Sequence, residues 1–579
     1  MSNIKVMSEN LANKIAAGEV VEKCASVVKE LVENSIDAKS DDIKVDLLDG
    51  GLTSIKVSDN GIGMDKEDAL LAFSRHATSK LKKEDDLFFI NTLGFRGEAL
   101  PSIASVSNTD LETSIGDVGT HIVINGGKLS TNEDIAKNKG TTITISNLFY
   151  NTPARLKYLK SEQYELANIT SYIEKLALSN PNISFQLTNN NKIILKTSGS
   201  NDLLKTIHEV YGLNVSSKMV EINANNDDFT IKGYICKPEI LRSNRNDMNV
   251  FVNGRIVKNY EINRIINDAY KDYKPDKRYP IVVLNIYVDP TLIDVNIHPT
   301  KQDIKIAKFN NLYTLLLDSI EDALKDKLLV QDALLRLPDA NKVKQEIMYN
   351  VEEEKEEYKE ININKEIVGE QTSLLFEDVE EPSITSLDLN PIGQIHNTFI
   401  VAQNEEGMYL IDQHAAAERI NYEKVQDAFK TREFYEVPLL VPITIELPTS
   451  SFIIIKENMD YLKELGFNIE EFGMNTININ SHPSWINNEY SYDTVKAVID
   501  MIIEDKNKFS LEKFEERLMQ TIACRMSLMA NTELNIEEMK ELLDNLKKCK
   551  NPYNCAHGRP SIMNFNNYEL NRMFKRAMN

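Results

Sequence analysis

The chain has 579 residues, which at roughly 100–200 residues per domain corresponds to about three or four domains. Hydrophobic residues make up 42% of it, as in ordinary globular proteins, and no apolar stretch approaches the ~20 residues of a membrane span. The formal net charge of −22 argues against a protein that binds nucleic acid over its whole surface, although local basic patches or a clamped geometry stay compatible with DNA binding. Because the N-terminus lacks a signal-peptide pattern, we expect a cytoplasmic protein without membrane contact.

The cysteines exclude a disulfide framework, because there are five of them, an odd number, widely spaced along the chain: Cys24, Cys236, Cys524, Cys549 and Cys555. In a cytoplasmic protein, their more frequent special uses are catalysis and metal binding. The alternative for each is a small buried apolar side chain, which is what most single cysteines are.

Residues 1 to about 330 alternate between the helical and the strand periodicity. The patterns predict helices over 20–33 and 259–270, and strands over 43–48, 54–57, 141–145, 229–234, 248–252 and 281–288. Gly50-Gly51 predicts a hairpin turn between the first two strands. The first part of the chain is therefore expected to mix helices and sheets.

A change in composition over about 343–389 indicates a flexible, solvated linker, since this stretch is rich in Glu and Lys and has no periodic apolar face. Within it lies one apolar island, Gln371-Thr-Ser-Leu-Leu-Phe376. Such an island is either a docking peptide for a partner or a segment that packs locally on a neighbouring domain, and both interpretations stay open.

A second globular block begins near Pro391. Its pattern predicts strands over 399–402 and 408–411 followed by a helix over 412–429. An inserted piece between about 441 and 505 then offers a strand over 443–447, a helix over 455–465 and a strand over 475–479. Helices are predicted over 514–530 and 536–546.

A carboxylate and an amide share one face of the first predicted helix. Glu30 and Asn34 are four residues apart, which places them one turn from each other. An amide oxygen can ligate Mg²⁺, and a carboxylate one turn away can activate an attacking water. Taken by itself, such a pair is more often an ordinary surface pair.

Further polar and glycine-rich segments support a nucleotide site. In Asp59-Asn-Gly-Ile-Gly63, the glycines allow a sharp turn, and Asp59 at the end of a strand can accept a hydrogen bond from an exocyclic amine such as that of adenine. Gly94-Phe95-Arg96-Gly97 precedes a helical pattern, where free backbone N–H groups bind phosphate and can cover a triphosphate. Thr141, after Gly140, opens a later strand within reach of the same pocket. The GxxxxGK[ST] pattern is missing, which excludes a P-loop.

Together these segments resemble the Bergerat ATP-binding fold of type II topoisomerases, ninety-kilodalton heat-shock chaperones, histidine kinases and MutL proteins. The resemblance to MutL is much the closest, and it extends over the blocks Leu11-Ala-Asn-Lys-Ile-Ala-Ala-Gly-Glu-Val20, Glu33-Asn-Ser-Ile-Asp-Ala38, Arg75-His-Ala-Thr-Ser-Lys80, Gly94-Phe-Arg-Gly-Glu-Ala-Leu100 and Asn147-Leu-Phe-Tyr-Asn-Thr-Pro-Ala-Arg155.

The resemblance implies ATP and Mg²⁺ as cofactors, with Glu30 as the catalytic base and Asn34 as the metal ligand. It assigns nucleotide contacts to Asp59, Gly63, Lys80, Gly94, Phe95, Arg96, Gly97 and Thr141. Cys24 stands where the family usually has proline, for which we expect only a less rigid helix start.

The resemblance continues into a second N-terminal subdomain through Val252-Asn-Gly-Arg255 and Asp294-Val-Asn-Ile-His-Pro-Thr-Lys301. By analogy Lys301 reaches the γ-phosphate, where its charge would neutralise the charge that develops in phosphoryl transfer. The family analogy also implies that two N-terminal domains dimerise when ATP binds and separate after hydrolysis, closing a ring on DNA.

A second set of candidate ligands begins in the C-terminal block. His414 and Glu418 are four residues apart on one predicted helix face, Asp412 precedes them at the strand–helix junction, and Glu423 extends the acidic face. Histidine with carboxylates suits zinc or manganese, although the segment alone is equally well a polar helix start.

Cysteine and histidine further along the chain favour a metal site. Cys524 lies in a predicted helix, and Cys555 and His557 alternate on an extended segment, so that both can point to one side. Together with the helix residues they suffice for a zinc-type site with carboxylates left for a second metal, since thiolates favour zinc and oxygen-rich positions favour manganese or magnesium.

This pattern is similar to the endonuclease site of many MutL proteins. The similarity implies metal ligation by Asp412, His414, Glu418, Cys524, Cys555 and His557, with Glu423 as a supporting acid and Asp412 and Glu418 as catalytic residues. Two adjacent metals, Zn²⁺ and/or Mn²⁺, would clamp the attacking and leaving oxygens of a phosphodiester and produce a nick. His396 and Cys549 are expected to be structural.

The expected architecture is an α+β multidomain chain. It comprises a Bergerat-fold α/β sandwich ATPase at 1–210, a second βαβ subdomain resembling a ribosomal-protein fold at 211–335, a flexible acidic linker at 336–388, and an α/β dimerisation and endonuclease domain at 389–579 with a regulatory insertion at about 442–510.

The family resemblance also implies which partners the chain binds and which alternative function is to be considered. The partners are double-stranded DNA, the mismatch-recognition protein MutS, the replication sliding clamp and a second copy of the chain, in a bacterial cytoplasm with nucleoid association during repair. For the clamp, the candidate peptides are Gln371-Thr-Ser-Leu-Leu-Phe376 and Val437-Pro-Leu-Leu-Val-Pro442, the latter without the usual glutamine. A non-cutting ATP switch that recruits repair factors is the alternative function, whereas a chaperone or topoisomerase fits only the ATP motifs.

Overall fold

The computed structural model describes residues 21–80, 92–94, 97–274, 278–294, 304–328, 388–431, 435–486, 491–504, 511–526 and 532–574. The chain divides into two compact units, Met1–Lys327 with Asn421–Leu528, and Leu328–Ile420 with Met529–Asn579. Within the described residues, no helix has the length and apolar character needed to cross a membrane.

An eight-stranded sheet forms the N-terminal part of the first unit, in the order β5-β4-β3-β6-β2-β1-β7-β8. Its strands are β1 (Asp42–Leu48), β2 (Ser54–Asp59), β3 (Asn108–Ser114), β4 (Gly119–Asn125), β5 (Lys128–Ile135), β6 (Gly140–Ser146), β7 (Ser184–Asn189) and β8 (Lys192–Lys196). Neighbouring strands are antiparallel, except that β1 and β7 run parallel. The predicted glycine turn between β1 and β2 is confirmed, with Gly50 and Gly51 both at positive φ.

Helices associated with this sheet are α1 (Cys24–Asp37), α2 (Lys66–Leu71), α3 (Ala99–Ser105), α4 (Pro153–Leu156) and α5 (Glu162–Ser179). Helix α1 buries Val27, Val28 and Leu31 in the same core as the alternate apolar residues of β1. Cys24 is the first residue of α1, a position that accepts proline readily, and its thiol is buried and donates to the Gly51 carbonyl. Burial raises the pKa of this thiol far above its ordinary range, so Cys24 is a core residue.

The second subdomain of the first unit contains a five-stranded sheet in the order β13-β12-β15-β10-β9. The elements here are β9 (Met219–Asn225), β10 (Phe229–Cys236), β11 (Leu241–Arg242), β12 (Met248–Val252), β13 (Arg255–Val257), β14 (Tyr279–Pro280), β15 (Val282–Val288), β16 (Ile293–Asp294) and β17 (Lys305–Ile306), with helices α6 (Leu203–Tyr211), α7 (Leu213–Ser216), α8 (Tyr260–Ala269) and α9 (Phe309–Leu328). Strands β12 and β15 are parallel, and α8 lies between them in the chain, which is the predicted βαβ arrangement.

The second unit is built on a four-stranded antiparallel sheet in the order β18-β19-β20-β24. Its elements are β18 (Asn390–Ile395), β19 (Phe399–Gln403), β20 (Gly407–Asp412), the start of α10 (Gln413–Thr431), α15 (Ile536–Lys547), β24 (Ile562–Asn566) and α16 (Asn567–Met573). Its core joins Ile400, Tyr409 and Ile411 of the sheet to Ala416 of α10 and Leu543 of α15.

The inserted piece belongs to the first unit and has a three-stranded sheet in the order β21-β23-β22. Its elements are β21 (Glu436–Glu446), α11 (Thr449–Glu457), α12 (Met459–Glu464), β22 (Asn468–Glu471), β23 (Thr476–Pro483), α13 (Ser491–Glu504) and α14 (Leu511–Met526). The prediction of one helix over 455–465 was wrong. The chain leaves helical geometry at Asn458, whose amide donates to the Ile454 carbonyl, so two short helices replace one.

Helix α11 of the insertion packs against α5 of the N-terminal part. The Glu174 carboxylate of α5 accepts two hydrogen bonds from Ser450, one from the backbone N–H at 3.1 Å and one from the hydroxyl at 2.6 Å. Both residues are buried. The Ser161 hydroxyl also donates to Glu457, and Glu446 accepts from the Asn214 N–H. A buried carboxylate with two donors is the arrangement that burial requires.

Candidate functional site

The predicted base and the predicted metal ligand both lie on α1. Glu30 and Asn34 are both half-buried, one turn apart, while the neighbouring Val27 and Leu31 are buried in the core. Because the apolar side of α1 is held by the sheet, the polar side has a fixed direction. The structure thus confirms the shared helix on which the predicted base and metal ligand depend.

The side chain of Lys80 joins the end of α1. Its Nζ donates to Asn34 Oδ1 at 2.9 Å and to Asp37 Oδ2 at 2.6 Å. The Asp37 carboxylate also accepts the backbone N–H groups of Leu93 at 2.9 Å and Gly94 at 3.1 Å. Asp37 therefore links the helix, the lysine and the start of the glycine-rich segment.

Asp59 is at the centre of a second network at the end of β2. One carboxylate oxygen accepts from the Gly61 N–H at 2.9 Å and the Thr141 N–H at 3.3 Å. The other oxygen accepts from the Ser35 hydroxyl of α1 at 2.8 Å. These contacts hold the carboxylate in place at the end of β2. The Thr113 hydroxyl lies 3.0 Å from the Thr141 hydroxyl, which adds a further polar group.

Two glycines are required by the close approach of backbone around Asp59. Gly140 has φ +122°, and a Cβ there would lie 2.1 Å from the Asp59 carbonyl oxygen. Gly63 has φ +71°, and a Cβ there would lie 1.9 Å from the Ser114 carbonyl oxygen. Both positions therefore exclude other residues.

The donor set suits a nucleotide with a hard metal ion. Asn34 provides an amide oxygen and Lys80 a cation, and Gly94 lies beside both, since a Cβ at Gly94 would be 3.2 Å from the Lys80 Nζ and 3.7 Å from the Asn34 Oδ1. Of the other predicted contacts, Gly97 belongs to the residues that the structure describes. The predicted contacts Phe95, Arg96 and Lys301 lie outside the described residues, so their roles stay predictions.

Three polar residues of this site were not predicted from the sequence: Ser35, Asp37 and Thr113. Asp37 follows Asn34 by three residues, which places it on the same helix side, so helical spacing was an available signal. Ser35 and Thr113 meet the pocket only through tertiary contacts with Asp59 and Thr141.

A second constellation lies at the start of α10. Asp412 ends β20, and its Oδ1 accepts the Ala415 N–H at 3.0 Å, which caps the helix. Its own N–H donates to the Ser561 carbonyl at 3.0 Å. Asp412 is thereby tied to both the sheet and the helix.

Three potential metal ligands converge one turn later. The ligand atoms of Glu418, Cys555 and His557 all lie within 4.8 Å of one another. Glu418 Oε1 is 3.2 Å from His557 Nδ1 and 3.9 Å from His414 Nε2. Glu418 and Cys555 are buried, whereas His557 is exposed. Oxygen, nitrogen and sulfur donors at this spacing suit a zinc-type ion.

The Cys555 segment is fixed against α10 by Arg419. The guanidinium donates to the carbonyl oxygens of Asn554 and Cys555. The Cys555 N–H donates to the Arg559 carbonyl, and the His557 N–H lies 3.4 Å from the Cys555 Sγ. The thiol and the imidazole therefore point to one side, as predicted, but the predicted extended segment was wrong: the chain forms a turn here, closed by the Gly558 N–H, which donates to the Cys555 carbonyl at 3.0 Å.

The other predicted ligands are placed differently. His414 lies at the edge of the cluster, and Asp412 caps the helix through its Oδ1, so that the metal-ligand roles of both stay predictions. Glu423 is on α10 but, within the described part of the chain, does not belong to the three-residue cluster. The Cys524 side chain lies outside the described residues. Cys236 is a core residue, and burial raises the pKa of its thiol to about 12.

Family models match three parts of the chain. Residues 22–148 match "Histidine kinase-, DNA gyrase B-, and HSP90-like ATPase". Residues 207–325 match "DNA mismatch repair protein, C-terminal domain", and residues 392–534 match "MutL C terminal dimerisation domain". The matches cover the two N-terminal parts and most of the block that begins near Pro391.

Curated relatives match over their whole length. The DNA mismatch repair protein MutL of Geobacillus sp. (strain WCH70) is 41% identical over 620 residues, and that of Anoxybacillus flavithermus (strain DSM 21510 / WK1) is 42% identical over 609 residues. In both cases 100% of each chain is covered. A crystal structure of the N-terminal domain of a DNA repair protein is 28% identical and covers 55% of this chain and 99% of its own, with a TM-score of 0.48. The chain therefore belongs to the MutL family of DNA mismatch repair proteins, with a GHKL-type ATPase domain and a C-terminal dimerisation domain.

Proposed function

We propose that this mismatch repair protein couples ATP turnover at the α1 site to a metal-dependent nick made by its C-terminal domain. The observation that carries the nicking activity is the convergence of Glu418, Cys555 and His557 within 4.8 Å. Glu418 is buried, and a buried carboxylate beside a thiol and an imidazole is expensive unless a cation or hydrogen bonds compensate it. A protein that only recruits other factors has no use for such a donor set.

At the ATP site, Glu30 is the proposed general base. It would accept the proton of the attacking water. The buried apolar side of α1 fixes the orientation of the helix that carries it. Asn34 and Lys80 would hold Mg²⁺ and the phosphates, and Lys301 is proposed to reach the γ-phosphate. When bound, Mg²⁺ neutralises charge that develops on the phosphates. Asp59, whose carboxylate is held in place by Ser35 and Thr141, would accept a hydrogen bond from the adenine amine.

At the C-terminal site, Glu418, Cys555 and His557 would hold a zinc or manganese ion, with His414 beside them. Cys524 and Glu423 are proposed to complete the ligand set. When bound, a divalent ion acts as a Lewis acid towards a phosphodiester and its attacking water. Arg419 keeps the Cys555 carbonyl against α10, and Asp412 keeps the helix start in place.

The proposed partners are double-stranded DNA, MutS, the sliding clamp and a second copy of the chain, the last through the dimerisation domain. For the clamp, Val437-Pro-Leu-Leu-Val-Pro442 is favoured over the linker segment 371–376, which lies outside the described residues. The pairing of β21 with β23 shifts register between Pro438 and Ile443, and in this interruption Leu440 and Val441 are 103% and 76% exposed. Exposed apolar side chains on an irregular strand are suited to a peptide-binding partner.

The clamp assignment is tested by pull-down of the sliding clamp with two double variants. Leu440→Ala with Val441→Ala should abolish binding, whereas Gln371→Ala with Leu375→Ala should leave it intact. The reverse result would transfer the contact to the linker.

The nicking activity is tested on supercoiled plasmid with Mn²⁺, in the presence and absence of the clamp. The wild-type chain should produce open circles, and Glu418→Gln or His557→Ala should abolish them while ATP turnover stays unchanged. Glu30→Ala is the reciprocal variant, because it removes the ATPase base and leaves the C-terminal ligands intact: it should lose ATP turnover and any ATP-dependent part of the nicking, and keep the nicking seen without ATP. Wild type that produces no open circles under any of these conditions would support the non-cutting recruiting switch.

A further inference from the structure

The residues that lead into the glycine-rich segment, Thr92 to Gly94, are held from two sides. On one side, the Asp37 carboxylate of α1 accepts the N–H groups of Leu93 and Gly94. On the other side, Arg255 of β13 donates to carbonyl oxygens, from Nη1 to Leu93 at 3.3 Å and from Nη2 to Thr92. Two subdomains thus provide hydrogen-bond partners for the backbone of one short segment. In most surface loops, water hydrogen-bonds to such backbone groups instead.

Arg255 is built into its position. It starts β13 directly after the turn at Asn253 and Gly254, both at positive φ, and it pairs with Val252 of β12. The turn is anchored on the ATPase domain, because the Ser179 hydroxyl at the end of α5 donates to the Gly254 carbonyl at 2.9 Å. Asn253 is fixed on β15 through two bonds with the backbone of Val288. The side chain therefore emerges from a rigid hairpin tip.

Burial of this guanidinium is energetically unfavourable, which argues that it has a specific role. Arg255 is 7% exposed, and burial lowers its pKa, opposed by the nearby carboxylates of Glu33 and Asp37. A desolvated guanidinium is unfavourable unless its donors are used, and here two of them bind backbone carbonyls. The Glu33 carboxylate is itself oriented by the Tyr172 hydroxyl, which donates to it at 2.6 Å.

We propose that Arg255 is a positioning residue for the nucleotide, which holds Thr92–Leu93 so that Gly94 is presented to the phosphates beside Asn34 and Lys80. It acts through the backbone of this segment and does not touch the substrate. Because Arg255 belongs to the second subdomain, the segment takes its position only while that subdomain is seated on the ATPase domain. The inference rests on the proposed ATP site.

Substitution of Arg255 in the full chain tests this role. Arg255→Met keeps length and removes charge and donors, and Arg255→Lys keeps the charge without the planar fork. Arg264→Met is the matched control, because Arg264 on α8 is exposed and forms an ion pair with Asp268 one helix turn further along the same helix. The probes are the dissociation constant of adenosine 5′-(β,γ-imido)triphosphate with Mg²⁺, and kcat and KM for ATP.

We expect Arg255→Met to raise the dissociation constant at least tenfold and to raise KM, with Arg255→Lys intermediate and Arg264→Met within twofold of wild type. If Arg255 merely supported the fold, its substitution would lower the melting temperature, and the protein that remains folded would bind the nucleotide as tightly as wild type. An unchanged dissociation constant in folded Arg255→Met would overturn the proposal. If that variant does not fold, an unchanged constant in Arg255→Lys would do so.

A double-mutant cycle with Asp37→Asn tests the shared segment. If Asp37 and Arg255 act through Thr92–Gly94, the double variant should weaken binding by much less than the product of the two single effects. Independent, multiplicative effects would contradict the proposal. If the wild-type chain itself does not bind the analogue, the ATP site fails, which is distinct from a wild type that binds and an Arg255 variant that binds equally well.

Discussion

The contact between Ser450 and Glu174 is expected to determine how firmly the insertion stays on the ATPase domain. Ser450→Ala removes the hydroxyl that donates to Glu174 at 2.6 Å and leaves only the 3.1 Å backbone bond from the same residue. Both residues are buried, so water does not replace the lost donor without opening the interface. A hydrogen bond to a charged group contributes about 1.5–3 kcal/mol.

That free energy corresponds to a roughly 10- to 150-fold larger opening constant for α11, at about 1.4 kcal/mol per factor of ten. Hydrogen–deuterium exchange of peptides covering α11 measures it, since exchange in the fast-closing regime follows local opening. Ser451→Ala is the control, because Ser451 is the next residue of the same helix turn and is less buried. Exchange of α11 that changes less than threefold in Ser450→Ala would refute the assigned role of this bond.

Three further predictions concern catalysis, backbone and pH. Glu30→Ala should keep nucleotide binding within a few-fold and reduce hydrolysis by about 100-fold or more, measured by calorimetric titration and phosphate release; retained hydrolysis would contradict its role as base. Gly140→Ala should abolish nucleotide binding, because its Cβ would displace the Asp59 backbone, and normal binding by titration would show that the pocket tolerates the shift. The pKa of His121 is raised, first by its hydrogen bond to Glu133, so its contribution to stability is complete below the unfolded value of 6.5 and is lost as pH rises through the folded value. Denaturation curves of His121→Asn should lack this loss, and identical pH profiles would refute it.

Much of the secondary structure could be predicted from local patterns. The strand over 43–48 and the helix over 536–546 were confirmed almost to the residue, as β1 and α15, because their apolar periodicity matches the face that becomes buried. The helix over 455–465 was predicted wrongly, because composition does not reveal that Asn458 leaves helical geometry and bonds back to Ile454.

The family and most of the candidate ligands could be predicted from the sequence alone, because short motifs preserve residue type and spacing. Glu30 and Asn34 are one helix turn apart, so helix periodicity already places both on one side. Cys555 and His557 were expected to converge through strand alternation, but a turn closed between Gly558 and Cys555 brings them together instead. The family's architecture followed from the motif order and is supported by the matches over the whole chain.

Contacts between groups that are far apart in the chain follow from the tertiary structure. Glu418 lies 3.2 Å from His557, and Arg255 reaches the backbone of Leu93, across more than a hundred residues of chain in each case. Local periodicity carries no information on such contacts, since they depend on how strands pair and helices pack. The buried bond of Ser450 to Glu174 likewise arises from packing between α11 and α5, where desolvation makes each unpaired polar group costly and so selects its partner.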